Sequence, residues 1–128
     1  MVRPALLGPR GERRVVALFE NWLRWTTTLQ GGCIFTAASA ELDDQPGPLR
    51  DALVQNELDW LELMATVAGT AVSEGEFEAD LDLDQFAYEM QGLLLSHEHA
   101  ARLLHDDRAD DRARTAFARL RASARVRA

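Results

Sequence analysis

The sequence predicts an all-α domain of five helices, and two observations carry that expectation. Apolar residues recur three and four apart over long segments, and no stretch shows the two-residue alternation of a half-buried strand. Glycine and proline stand between those segments, at Gly8, Pro9, Gly11, Gly31, Gly32, Pro46, Gly47, Pro48 and Gly75, where they end one helix or admit the next. At 128 residues the chain is long enough to bury one core and too short to expect two. Residues 1–11 are expected to be irregular, and one helical domain is expected over 12–128.

On the first helix Val15, Leu18, Phe19, Trp22, Trp25 and Leu29 share a face, and Val16 and Leu23 widen it to suit contact from two sides. The second helix is expected from about Gly32 to Leu42. Cys33, Ile34, Phe35, Ala37, Ala38 and Ala40 surround it almost completely, which predicts a short enclosed helix. Gly47 and Pro48 open the third helix, because proline at the first helical position gives up an amide that had no intrahelical partner. Its faces run through Leu49, Leu53, Trp60, Met64, Val67 and Ala71, and through Val54, Leu58, Leu61, Ala65, Ala68 and Val72. With Gly75 as its stop, this helix would span about 40 Å at 1.5 Å per residue.

Residues 76–82 read as a polar connector to the fourth helix. Asp82, with Gln85 three residues on, has the arrangement of a capping box. Leu83, Phe86, Ala87, Met90, Leu93, Leu94, His97, Ala101 and Leu104 follow on one side. The fifth helix is expected from near Asp107, with Ala109, Ala113, Ala116, Phe117, Leu120 and Ala124 at helical spacing. Asp110 and Arg114, four apart, are expected to form a surface ion pair.

The formal charge of -7 argues against a general nucleic-acid surface, which needs clustered cations. That charge is uneven: residues 31–105 carry two Arg against fifteen acids, whereas residues 106–128 carry seven Arg against four. All fourteen basic residues are Arg, which carries no functional reading. The single Cys33 has no internal disulfide partner, and the apolar runs fall short of the roughly 20 residues of a membrane helix. The first residues do not form a signal peptide, so a cytoplasmic location is expected.

Few residues suggest chemistry. Asp80, Asp82 and Asp84 open like a calcium loop, but Gln85 stands where such a loop needs Gly and Gln91 where it needs Glu, so these acids read as helix-capping groups. His97, His99 and His105 with Glu98 offer metal-ligating side chains, yet His97 and His99 are two apart and point to different faces of a helix. A helical metalloprotein or small enzyme built on those histidines is the alternative reading; no metal or cofactor is expected in the preferred one. Cys33 lies in a charge-free segment that disfavours its thiolate, and Ser39 and Ser96 lack a nucleophile elbow. Glu57 could pair with Asp59 or Glu62 only in a cleft, and solvated helix charges are the plainer reading. No active site is expected.

The aromatic and sulfur-bearing residues are more suggestive. Phe19, Trp22, Cys33, Phe35, Trp60 and Met64, with Trp25 beside them, offer the broad apolar walls of small-molecule pockets, although each also suits an ordinary core.

Taken in order, these features resemble a known family. A helix with Trp22 and Trp25 precedes Gly31-Gly32-Cys33, then Asp43-Asp44-Gln45-Pro46-Gly47-Pro48-Leu49-Arg50-Asp51. A long helix with Trp60 follows, then Gly75-Glu76 before an acidic connector, and Ala100-Ala101-Arg102-Leu103-Leu104 before the last helix. The whole chain resembles the C-terminal regulatory domain of a TetR-family transcription regulator. The resemblance implies an all-α fold whose middle helices enclose a small apolar or aromatic effector. It also implies a homodimer in which the last two helices and their copies form a four-helix bundle. On that bundle Leu94, His97, Ala101, Leu104, Ala113, Phe117 and Leu120 are the expected interface. Family members begin with a helix-turn-helix domain, and no recognition helix is found in this sequence; DNA binding is expected only through such a domain, in a full-length form.

Overall fold

The computed structural model describes Leu6, residues 8–28 and residues 34–127, except for the side chains of residues 27, 28, 34 and 35. Five helices lie among the described residues between Gly8 and Arg127: α1 (Glu12–Thr28), α2 (Ile34–Leu42), α3 (Pro48–Ser73), α4 (Leu83–Arg102) and α5 (Ala109–Ala124). Among these residues there is no strand, only an isolated antiparallel bridge between Phe77 and Arg125. Within the segment expected to be irregular, Leu6 has helical backbone and residues 8–11 form bends or carry no regular structure.

Local signals set the helix ends. Pro48 stands in the first turn of α3 behind Gly47, whose φ of 144° suits glycine. At the other end Gly75 adopts φ 76°, while the amide of Glu76 donates to the Ala71 carbonyl at 2.9 Å and that of Gly75 to Val72 at 3.0 Å. This is the Schellman pattern, which satisfies carbonyls left over at a helix end. Asp82 caps α4 by accepting the Gln85 amide at 3.0 Å. The fifth helix begins at Ala109 rather than near Asp107, with no side-chain cap at Arg108.

The most extensive packing is of α4 against α3 and against α5, while α1 packs on α3 and α4 and α2 on α3. The core forms where these helices converge, around Leu18, Phe19, Met64, Phe86, Met90 and Leu94. The apolar stripe of α3 is only partly buried: Met64, Val67, Ala68 and Ala71 are covered, whereas Leu49, Val54 and Leu58 nearer its start are exposed. No helix among the described residues is long and apolar enough to cross a membrane.

The connector after α3 is less polar in place than in composition. Phe77 is buried against Phe86, with ring centroids 5.6 Å apart. Around it the chain ends are tied together. The Glu78 amide donates to Ala124, the Val126 amide to Glu76, and Arg125 Nε to Glu12 Oε1 at 2.6 Å. Gly11 joins the same end through its amide, which donates to Thr70 Oγ1 at 2.9 Å.

Two polar partnerships differ from the sequence expectation. Arg114 does not pair with Asp110; its Nε and Nη2 donate to the two carboxylate oxygens of Glu20 on α1, each at 2.9 Å. A bidentate partner across the fold is geometrically better than a neighbour one turn away on the same helix. It holds the Glu20 carboxyl below its ordinary pKa, first through the Arg114 hydrogen bonds, against the opposing effect of burial. Asp110 instead accepts from His97 Nε2 at 2.6 Å.

Candidate functional site: a tryptophan cluster and two helix grooves

Trp22 and Trp25 stand three apart on α1, a spacing that puts both on one side of the helix. Their ring centroids are 5.5 Å apart and tilted by 47°. Trp60 of α3 meets Trp22 with centroids 5.0 Å apart and planes inclined by 30°. Both separations lie within the range at which aromatic pairs attract beyond their buried area. All three tryptophans of the chain therefore gather where α1 crosses α3.

A polar relay runs beside the rings. Trp60 Nε1 donates to Gln91 Oε1 at 2.9 Å, and Gln91 Nε2 donates to Glu57 Oε2 at 3.4 Å. The relay links α4 back to α3. Burial raises the Glu57 carboxyl above its ordinary pKa, because desolvation disfavours its charged form. Trp22 differs from Trp60: only 6% of its surface is exposed, and its Nε1 has no hydrogen-bond acceptor among the described residues.

The six residues expected to line a pocket do not all converge. Trp22 and Trp60 meet. Phe19, one turn earlier on α1, instead stacks on Phe117 of α5 with centroids 4.0 Å apart and planes within 8°. Met64 is buried in the core. Cys33 and the side chain of Phe35 lie outside the described residues. Sequence reading missed Gln91, although one signal pointed to it: it stands four after Ala87 and three before Leu94, a polar residue on an apolar face. For Glu57 the sequence offers only half of a carboxylate pair. In place its oxygen accepts from Gln91, while Asp59 accepts from Gln55.

Among the described residues, cavities lie on two sides of α3. One of about 200 Å³ lies between α2 and α3, lined by Leu42, Leu53, Val54 and Leu58 with Glu57 and Arg50 among its polar groups. A wider groove of about 570 Å³ lies between α3 and α4, with Leu58, Leu61, Ala65, Leu83 and Tyr88 on its walls. Leu58 borders both. The wider groove has the volume and the mostly apolar lining of a small-molecule site.

The residues expected at a dimer interface divide in two. Leu94, Ala113 and Phe117 are buried inside the chain's own core, and so is His97, with 1% of its side chain exposed. These face inward because α4 and α5 use their strongest apolar stripes on each other and on α1 and α3. Ala101 and Leu120 are half-buried, and Leu104 is exposed. The outward side of the pair carries a different set: Glu89, Gly92 and Leu93 of α4 and Ala116, Arg119, Leu120 and Ser123 of α5 line an open groove of about 420 Å³. The histidines do not assemble a metal centre either. Among the described residues no three His, Cys, Asp or Glu side chains come together to hold an ion, and His97 Nε2 is engaged with Asp110.

Comparison with known proteins agrees with this architecture. No curated protein matches the chain. Among solved structures, a TetR transcriptional regulator from Chloroflexus aurantiacus J-10-FL superposes with a TM-score of 0.78 at 22% identity, over 94% of this chain and 61% of that one. The likeness is one of fold, and the chain spans about three-fifths of that regulator's length. A family model described as "Tetracyclin repressor-like, C-terminal domain" matches residues 11–117. Five helices in this order, a long α3 crossed by α1, and a matching family model over most of the sequence place the chain in the family of tetracyclin-repressor-like C-terminal domains.

Proposed function

We propose that this chain is the effector-sensing and dimerisation part of a TetR-like transcription regulator, a binding domain rather than an enzyme. The observation that carries the sensing half is the meeting of Trp22, Trp25 and Trp60 beside the Glu57–Gln91 relay. Broad apolar rings with a few fixed polar groups suit a small aromatic or apolar ligand. In a full-length protein, ligand bound at this cluster would act by favouring one arrangement of the helices over another, which requires different affinity for the two.

The dimer reading keeps α4 and α5 and moves to their outward sides. Gly92, Ala116 and Ser123 are small and share the groove there with Leu93 and Leu120. A Cβ built at Gly92 meets nothing within 4 Å in the chain, which leaves room for a helix of a second copy to approach closely. DNA contact would come only from a helix-turn-helix domain joined to this one.

Sedimentation velocity and tryptophan fluorescence test the two halves together. The wild-type chain is expected to sediment as a dimer, and Gly92→Glu as a folded monomer, since two buried like charges would face each other across the axis. Titration with naphthalene is expected to change the emission of both forms, because the tryptophans lie away from α5. A monomeric wild type at high concentration sinks the dimer reading; unchanged emission under saturating naphthalene sinks the sensing reading.

A further inference from the structure

The cavity between α2 and α3 and the groove between α3 and α4 meet at Leu58, and the charges around them narrow what the ligand can be. This inference rests on the sensing reading and seats the ligand in the space that Glu57 borders rather than between the tryptophan rings. Glu57 lines the smaller cavity, is half-buried, and accepts from the neutral amide of Gln91 at 3.4 Å. Burial holds its carboxyl above the ordinary pKa, and among the described residues no Arg or His forms an ion pair with it. The wider groove repeats the pattern. Glu62 and Asp84 stand there among Leu61, Ala65, Leu83 and Tyr88, again without an ion-pair partner among the described residues, and no basic side chain lines the groove. Arg50, on the smaller cavity, already donates its Nε to the Asp43 carbonyl at 3.1 Å. Residues 31–105 carry two Arg against fifteen acids, so the field over both spaces favours cations.

We propose that the two spaces together bind a lipophilic organic cation, with its ammonium group against the Glu57 carboxylate and its apolar body along Leu58 into the groove. The other ligand classes fit less well. An anion would meet Glu57, Glu62 and Asp84. A metal ion needs clustered ligands, and among the described residues no three His, Cys, Asp or Glu side chains come together. A neutral ring would fill the groove but leave the half-buried Glu57 charge without a partner. The ring of Tyr88, 72% exposed on the groove wall, gives an aromatic body a face to stack on.

Protonated 1-naphthylmethylamine and 1-naphthalenemethanol share a ring frame and differ in charge. In titration calorimetry on the whole chain at neutral pH, the ammonium is expected to bind at least about tenfold more tightly than the alcohol, the ratio that a charge-assisted hydrogen bond supplies. The anion 1-naphthoate should bind more weakly than either. Glu57→Gln should bring the ratio of ammonium to alcohol close to one. Because that variant removes a desolvated charge, it should resist urea at least as well as the wild type, which separates lost preference from lost fold. Asp51→Asn makes the same change in net charge at a residue that lines neither space, and should keep the ratio. Leu58→Ala should weaken both ligands several-fold and leave their ratio unchanged. Equal binding of ammonium and alcohol to the wild type overturns the proposal, while the naphthalene titration decides the sensing reading separately. A preference that survives Glu57→Gln, or that falls equally in Asp51→Asn, also overturns it, and so does tighter binding of naphthoate. Unchanged binding of both ligands to Leu58→Ala overturns the placement along that residue. Binding of none of these compounds, naphthalene included, overturns the sensing reading together with the proposal.

Discussion

Phe117 separates the interior of this domain from its surface, and its replacement by Ala has a magnitude that follows from the structure. The ring is buried, stacks on Phe19 at 4.0 Å, and lies beneath the Arg121 guanidinium at 5.3 Å. An aromatic side chain buries at least about 150 Å², worth about 4 kcal/mol at 25 cal/mol/Å², less the small part that Ala retains. The stacked pair adds about 1 kcal/mol and the partly exposed cation about 0.5 kcal/mol. The expected loss is therefore about 3–5 kcal/mol, the range measured for truncating core aromatics. Against a stability of about 6–19 kcal/mol for a chain of this length, that is a large fraction. With a urea slope of about 1.5 kcal/mol/M the midpoint falls by about 2–3 M. Urea titration followed by circular dichroism measures it. Phe117→Leu keeps most of the volume, costs less, and should remain a dimer by sedimentation if the wild type is one. A folded Phe117→Leu with wild-type urea resistance that had become a monomer would refute the assignment of this ring to the core.

The remaining predictions concern a charge and a turn. Burial raises the Glu57 pKa above its ordinary value of 4.5, so the folded chain keeps that proton at a pH where the unfolded chain has released it. Stability from this group therefore falls as pH rises through that window and stays lower above it. Glu57→Gln should raise the urea midpoint at neutral pH and return to the wild-type value in acid. The Glu20 carboxyl, whose pKa is lowered, has the opposite dependence and cancels when variant and wild type are compared at each pH. Gly11 has φ 104°, and a Cβ there would lie 2.0 Å from Glu76 Oε1. Gly11→Ala is expected to cost about 1–3 kcal/mol in thermal or urea unfolding. Gly75→Ala, with φ 76° and open space around it, should cost less, and an equal cost would show that backbone strain alone governs both.

How far the sequence reaches depends on how local the physics is. Pro48, Gly75 and the Asp82–Gln85 cap act within a few residues, and each does in the fold what its neighbours in sequence imply. Periodicity likewise fixes which side of α1 is apolar, because Val15, Leu18, Phe19, Trp22 and Leu23 are all buried. It fixes a phase but not a partner. Phe19 and Trp22 share one stripe, yet one ring meets Phe117 of α5 and the other meets Trp60 of α3. The same limit holds for α4 and α5: the sequence displays their strongest stripe without saying what covers it, and Leu94, Ala113 and Phe117 on that stripe are covered within the chain itself.

The sequence by itself determined the all-α class, the order of the helices, their caps and the tryptophans worth watching. Only the tertiary structure decided that Arg114 reaches Glu20, that His97 turns inward to Asp110, that Phe77 fills the core from a connector of acids, and that Gln91 serves Trp60. Helix formation depends on spacings of three and four residues, which a sequence displays. Side-chain partnership depends on which helices cross and at what height, and that is set by the packing of all of them at once.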